Sequence, residues 1–328
     1  MQSEKFYNSL FKPLLLSAAY LFIIGFLFSN CKQTNQVAAN NVTEISSYWK
    51  LNDSSQDTLL AIEMLDSIRI ILDTLKSMDS TNCKQALPLS NLAINIFKKY
   101  EVKNPSALAE TNLYLGSCQL ELAILEKAKI HLETAVSIKN NSDDTLDFAM
   151  VQLYRNLGKL QYYEGNYYQA INFLEKGMDL LGKLVKAPNE MNLLLEMNLA
   201  EVYAALNDTN KRLNALQKAE KIYKELAVTK THTQGQLFHN LGETHAYLEQ
   251  YDTALLYLTD AYQIYLKDSV NYKTEFPFVL SNLGRLYANQ NEFDTAFYYI
   301  NRAVQFCKQH LPVNHYARAN ALSSMSQY

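Results

Sequence analysis

The 328-residue chain is poor in the residues that interrupt or crosslink a fold, with nine Gly, six Pro, four Cys and a single Trp, Trp49. So few helix breakers argue against a turn-rich chain and suit a helical one. The net charge is −3, and Lys, Arg, Asp and Glu are interspersed with no basic stripe, which argues against a nucleic-acid partner. No Gly-rich phosphate loop is present, and none of His131, His232, His239, His245, His310 and His315 pairs with carboxylates or Cys at metal-ligand spacing. His239 and His245, six residues apart, fall on different faces of a helix. Cys83, Cys118 and Cys307 are odd in number and lack a Cys-x-x-Cys spacing. All three read as structural, and Cys118, on a core-facing helix, reads as a free thiol acting as a small hydrophobe. The sequence therefore offers no catalytic constellation, metal or cofactor, and neither an enzyme nor a small-molecule substrate is expected.

Long apolar runs are also scarce. The one that stands out is Leu14 to Phe28 (LLLSAAYLFIIGFLF), after Lys5 and Lys12 and before Ser29-Asn30-Cys31. Fifteen residues fall short of the roughly 20 of a membrane-spanning helix and suit a signal-peptide core. A small-residue run closed by Cys resembles a bacterial lipoprotein signal, although Asn30 stands where that signal usually has a small residue. The resemblance implies that residues 1–30 are removed and that Cys31 is lipidated. An uncleaved signal anchor and an ordinary secretory signal are the alternatives, and all three place the rest of the chain outside the cytoplasm. Residues 31–56, rich in Asn, Gln, Ser and Thr, read as a flexible polar tether.

What is abundant is repetition. Asn156-Leu157-Gly158, Asn198-Leu199-Ala200, Asn240-Leu241-Gly242 and Asn282-Leu283-Gly284 each begin 42 residues after the last. Tyr114-Leu115-Gly116 lies one period upstream and Ser324-Met325-Ser326 one period downstream. A register held over five intervals marks a repeat protein. Let the Gly or Ala after the ladder Leu be position 8. Position 20 is then Ala128, Ala170, Arg212, Ala254 and Ala296. Position 24 is Leu132, Leu174, Leu216, Leu258 and Ile300, and position 27 is Ala135, Gly177, Ala219, Ala261 and Ala303. Gly within a helix costs about 1 kcal/mol relative to Ala, so its return at position 8 implies close approach of a partner helix. Small residues at 20 and 27 are expected to face it, and large ones at 7 and 24 to fill the flanks. Turn-prone Glu164-Gly165-Asn166 and Asn289-Gln290-Asn291 separate the two helices of a unit. Ala86 to Tyr100 is expected to be a helix of a degenerate first repeat, with a further helical stretch before it from about Asp57.

Leu-Gly at 7 and 8 with Ala at 20 and 27 resembles the tetratricopeptide repeat, over roughly residues 57–328. The long period is similar to the kinesin-light-chain variety. The resemblance implies an all-α, right-handed superhelical solenoid of antiparallel helix pairs, about six repeats plus an incomplete last one. Arg212 departs from the pattern, so the fourth pair is expected to be splayed, or the Arg side chain to snorkel out of the contact.

In such arrays positions 2, 5, 6, 9, 12 and 13 of the first helix line a concave groove, and in some families an Asn ladder at position 6 clamps an extended peptide backbone. Here the ladder is Asn156, Asn198, Asn240 and Asn282, and a carboxamide offers a donor and an acceptor together. At about 1 kcal/mol per net hydrogen bond, four such residues support micromolar but not nanomolar binding. The alternative is that they bond only within the helices. Specificity is expected from Arg155, Lys159 and Tyr162, then Glu201, then His239 and Glu243, then Arg285, with an acidic ligand group near Arg155 and Lys159. Tyr167, Tyr168, Tyr223, Tyr257, Tyr262, Tyr265, Tyr298 and Tyr299 on the second helices read mainly as packing.

The functional expectation is a non-enzymatic scaffold that binds a protein or peptide partner, held to a membrane through Cys31 in the periplasm or outer membrane of a Gram-negative bacterium. The alternative is the sensor or recruitment part of a larger regulatory protein, of caspase-like protease or histidine-kinase type. The chain stops at Tyr328, inside the first helix of another unit.

Overall fold

A computed structural model describes residues 83, 86–88, 90, 91, 93–95, 105–141, 147–226, 231–270 and 272–326. The lipidation site Cys31, the signal segment, the tether and the stretch around Asp57 lie outside the described residues. The chain falls into two compact units, Met1–Ser77 with Lys84–Val102, and Met78–Cys83 with Lys103–Tyr328. In the first, the described residues between 86 and 95 are helical, and Ala86 and Ala93 are buried. Ser90 Oγ donates there to the Ala86 carbonyl at 2.9 Å.

The second unit is a solenoid of antiparallel helix pairs, with no strand among the described residues. Its helices are α1 (Pro105–Glu121), α2 (Leu125–Asn140), α3 (Phe148–Tyr163), α4 (Tyr167–Leu184), α5 (Glu190–Ala205), α6 (Thr209–Leu226), α7 (Thr231–Tyr247), α8 (Tyr251–Leu266), α9 (Phe276–Asn289), α10 (Phe293–His310) and α11 (Tyr316–Met325). Odd-numbered helices are the first helices of the units, and α1, α3, α5, α7 and α9 each pack most extensively on the helix that follows. The first helices also touch one another, α1 on α3, α3 on α5, α7 on α9 and α9 on α11. No second helix makes a comparable contact with another second helix, so the first helices form the inner, concave row. The inner row is looser in its middle, where α7 touches α9 only lightly.

The turns explain how one sequence pattern makes five equal corners. Ala123, Gly165, Asn207, Glu249 and Asn291 all have φ between 56° and 79° and lie 42 residues apart. The next residue returns its N–H to the carbonyl five residues earlier, as in Ile124 to Gln119 and Asn166 to Gln161 at 2.8 Å, and Asp208 to Tyr203 at 2.9 Å. The left-handed residue itself bonds three back, as in Gly165 to Tyr162 at 3.0 Å. This is the Schellman closure, which satisfies the last carbonyls of a helix and reverses the chain. At the other ends, Asp147 caps α3 through Met150 N, and Asn189 and Asn192 form a reciprocal capping box on α5.

Position 8 is a contact point, and its partner differs from the expectation. A Cβ on Gly158 would lie 2.7 Å from Leu174 Cγ and 3.3 Å from the Ala170 carbonyl oxygen. Gly116 meets Leu132, Gly242 meets Leu258 and Gly284 meets Ile300 in the same way. The large residue at position 24 thus sits directly on the Gly, and at Gly116, Gly158 and Gly284 the position-20 residue contributes its carbonyl rather than its small side chain. The core consists of two clusters, Leu113 to Leu241 and Ala254 to Ala321, and Phe238 packs against both.

Two cysteine readings are settled by geometry. Cys118 is not a free thiol: it is disulfide-bonded to Cys83, with Cα atoms 4.8 Å apart. Both are fully buried, so the bond ties the segment before the first described pair to α1. Cys307 is the free, buried one; burial pushes its thiol up to about 11, which leaves it unreactive.

Candidate functional site

The four ladder residues stand on successive first helices, α3, α5, α7 and α9, but they are not equivalent. Asn156 donates from Nδ2 to Ser117 Oγ on α1 at 2.5 Å. Asn282 donates from Nδ2 to His239 Nε2 on α7 at 2.7 Å. These two carboxamides stitch neighbouring first helices together, which commits one of the two N–H donors of each. Asn198 is buried, and its Nδ2 has no hydrogen-bond partner among the described residues. Asn240 is partly exposed and lines a pocket. Unused carboxamide capacity is therefore concentrated in the middle of the row, on α5 and α7. A buried donor without a partner calls for an explanation, because leaving one costs about 1–3 kcal/mol.

The charged residues are arranged in opposed pairs along the same face. Lys159 Nζ donates to Glu121 Oε1 at 2.6 Å. Arg155 is half-buried and its Nε lacks a partner among the described residues. Burial lowers its pKa, while Glu121 and Glu201 pull the other way. The corner expected to receive an acidic group therefore already holds Glu121 and Glu201, and Lys159 is engaged. Glu201 keeps accessible surface yet is crowded by groove atoms, which raises its pKa against the pull of Lys159 and Arg155. Tyr163 is pushed up to about 12 by burial and by the same two carboxylates. Tyr162 is half-buried against Tyr167 and Tyr163. Burial drives its hydroxyl pKa up as well.

Further along, Arg212 Nη2 donates to Glu243 Oε2 at 2.6 Å, with the Arg side chain 14% and the Glu side chain 37% exposed. The exception at position 20 is thus accommodated as expected of a snorkelling side chain: its head leaves the helix contact for the α7 carboxylate. Burial would raise the Glu243 pKa, but His239 and Arg212 outweigh it and hold the carboxyl low. His239 is shifted down by burial, against Glu243 and with Arg212 and Arg285. The bond from Asn282 Nδ2 requires an unprotonated Nε2, so His239 is neutral. Arg285 is exposed on α9. Met197 and Ser281 are buried in the helix layer and do not line the groove surface.

A pocket of about 120 Å³ opens in the groove between α5, α7, α9 and α11. Glu201, His239 and Asn240 line it as the sequence pattern implies, joined by Gln236, Tyr265, Thr274, Glu275, Phe278 and Tyr316. Sequence reasoning missed Tyr265, Glu275 and Tyr316 as site residues. Gln236 shares position 2 with Phe278 and was findable from the repeat, whereas Thr274 and Glu275 lie in a loop outside the period. A larger, open depression of about 690 Å³ lies elsewhere, among Lys129, Glu133, Gln161, Glu164 and Phe173 of α2, α3 and α4. It contains none of the expected binding residues, and the smaller pocket is where the groove chemistry converges. On the second helices Tyr168 is 80% and Tyr298 57% exposed while Tyr265 is fully buried, so the Tyr residues divide between surface and packing.

The sequence profile of the tetratricopeptide repeat matches residues 279–317, which cover most of α9, all of α10 and the start of α11. No curated protein sequence matches the chain. Among solved structures, a Rap protein complexed with Competence and Sporulation Factor is similar with a TM-score of 0.60 at 17% identity, over 83% of this chain and 70% of that one. Aspartyl phosphate phosphatase F from Bacillus subtilis gives 0.55 at 15% identity, over 94% of this chain and 76% of that one. PilF of Pseudomonas aeruginosa gives 0.52 at 16% identity, over 82% and 99% respectively. At such identities the likeness is one of fold, and the fold is that of a tetratricopeptide-type solenoid.

Proposed function

We propose that the concave groove binds an extended peptide or protein segment and that the protein is an interaction scaffold rather than an enzyme. The observation that carries this reading is the buried Asn198 Nδ2, without a partner among the described residues, one helix from the pocket-lining Asn240. A peptide carbonyl laid across α5 and α7 supplies the missing acceptor once the Asn198 side chain turns toward the groove. The Rap structure solved with a bound factor supports the use of this fold in recognition. Asn156 and Asn282 hold the frame, so the backbone clamp is shorter than four rungs. At about 1 kcal/mol for each lost bond, Asn198→Ala with Asn240→Ala weakens binding on the order of thirtyfold.

We further propose that the protein acts at the cell envelope, anchored through a lipid on Cys31. The Cys83–Cys118 disulfide supports an oxidising compartment, since cytosolic thiols are kept reduced. The test is affinity capture from envelope extract with the full chain and with the Asn198→Ala, Asn240→Ala variant, both checked for fold by circular dichroism. A partner retained by the parent and lost by the folded variant supports the reading. The same partners on both reject the groove and redirect attention to the exposed second-helix face.

A further inference from the structure

The groove pocket has a composition that its surroundings lack. Along the first helices, cations and carboxylates alternate, but the pocket wall holds Glu201 and Glu275 and no Lys or Arg. Glu275 is ionised: burial favours its neutral form, but bonds from His232 Nε2 at 3.3 Å and from Thr274 Oγ1 outweigh it. His239, the remaining titratable base in the wall, is neutral because Asn282 donates to it. Phe278 and Tyr316 stand beside each other with ring centroids 5.5 Å apart and supply aromatic surface to the same space.

Tyr265 gives an independent indication. Its side chain comes from a second helix, α8, crosses the layer over Gly235, and is fully buried. A Cβ at Gly235 would come within 2.7 Å of the Tyr265 ring, so the chain leaves that position bare to let the ring through. Tyr265 is among the residues that line the pocket, and its buried hydroxyl has no hydrogen-bond partner among the described residues. Phe at this position would fill the same space without a stranded hydroxyl, and a buried polar atom without a partner is disfavoured unless something meets it.

Size narrows the occupant. About 120 Å³ is the liquid volume of some four waters, well below the 300–1,000 Å³ of drug-sized or cofactor sites. It suits a single unbranched side chain. A primary ammonium offers three donors to carboxylates and a hydroxyl oxygen and favours aromatic faces.

From this juxtaposition we infer that the pocket walled by Glu201, Glu275, Tyr265, Phe278 and Tyr316 takes a lysine side chain of the peptide bound in the groove. The inference rests on the groove reading and names its specificity. Glu201 and Glu275 neutralise the ammonium, the Tyr265 oxygen accepts one of its protons, and the aromatic rings cover the alkyl stem. Asn198 and Asn240 hold the peptide backbone beside it. Lys159, Arg155 and Arg212 also face Glu201, but Lys159 and Arg212 are closed on Glu121 and Glu243, and Glu275 has none of these cations beside it.

Pools of fluorescent heptapeptides, random except for a fixed central Lys, Arg, norleucine or Glu, test this by anisotropy with the full chain. The Lys pool is expected to bind at least tenfold tighter than the norleucine pool and to exceed the Arg and Glu pools. In Glu201→Gln with Glu275→Gln, the Lys-to-norleucine ratio is expected to fall to about one. Tyr265→Phe is the control against a merely structural role: its melting temperature is expected to hold or rise, while the Lys preference drops several-fold. Equal binding of all pools, or a Glu or Arg preference, overturns the lysine assignment while the groove reading stands. An unchanged Lys preference in Tyr265→Phe or in the folded double variant also overturns it. Absence of binding by every pool overturns both.

Discussion

Gly158→Ala separates two effects that pull in opposite directions. In an exposed helix the change stabilises by up to about 1 kcal/mol, because Ala is the better helix former. Gly182 on α4 is that case: it is exposed and nothing lies within 4 Å of a Cβ built there. At Gly158 the new methyl would sit 2.7 Å from Leu174 Cγ and 2.8 Å from its Cδ2. Cγ is the branch point of a fully buried side chain, so it cannot swing aside without moving helix α4. Overpacking of that kind costs about 1–3 kcal/mol and more than cancels the propensity gain. Urea unfolding is expected to show Gly158→Ala less stable than the parent by about 1–2 kcal/mol and Gly182→Ala more stable by up to about 1. Leu174→Ala alone is expected to cost about 2–5 kcal/mol. Combined with Gly158→Ala it should cost at least about 1 kcal/mol less than the sum, since each change relieves the other. Stabilisation by Gly158→Ala equal to that of Gly182→Ala would refute the close-contact account of position 8.

The other predictions concern a turn and a titration. Gly165 has φ of 79° with open space around it, so Gly165→Ala tests backbone strain alone; a loss of about 1–2 kcal/mol is expected by thermal unfolding. The reverse change at the equivalent Glu249, φ 59°, should gain a similar amount, and no gain would mean the Glu side chain compensates there. His239 is held neutral with its pKa below the usual 6.5, so the unfolded chain binds its proton first as pH falls. Stability should therefore be full above about pH 6.5 and decline through that value toward the lower folded pKa. His239→Gln should remove that part of the acid slope, and an unchanged slope would place the titration elsewhere.

Much of the architecture was readable because it is periodic. The Leu-Gly pair and the Ala at 20 and 27 are local choices that recur, and helix pairing follows from burial of a repeated face. Even the corner geometry is implicit, since Gly165, Asn207 and Asn291 tolerate left-handed backbone; Ala123 and Glu249 hid the pattern because neither favours it. Lateral contacts are harder to read. That Asn282 spends its donor on His239, or Asn156 on Ser117, depends on the rotation between neighbouring units, and no period encodes that. The disulfide was missed for the same reason: Cys83 and Cys118 are 35 residues apart and meet only once the helices are stacked.

The departures from the repeat are the most informative part of the chain, and they fall together. Ala200 replaces Gly at position 8 and Arg212 replaces Ala at position 20, both in the α5–α6 pair. Glu243 on α7 receives the Arg212 head, and the groove pocket opens between α5 and α7 beside it. Asn198, with its free Nδ2, and Glu201 stand on one side of that opening; Gln236, His239 and Asn240 stand on the other. The changed positions and the uncommitted groups coincide. Local rules broken where chemistry gathers are the usual mark of a site rather than of drift in the repeat. The ion pair Arg212–Glu243 takes the place of the Ala at position 20 of the other units and closes both charges on each other beside the pocket.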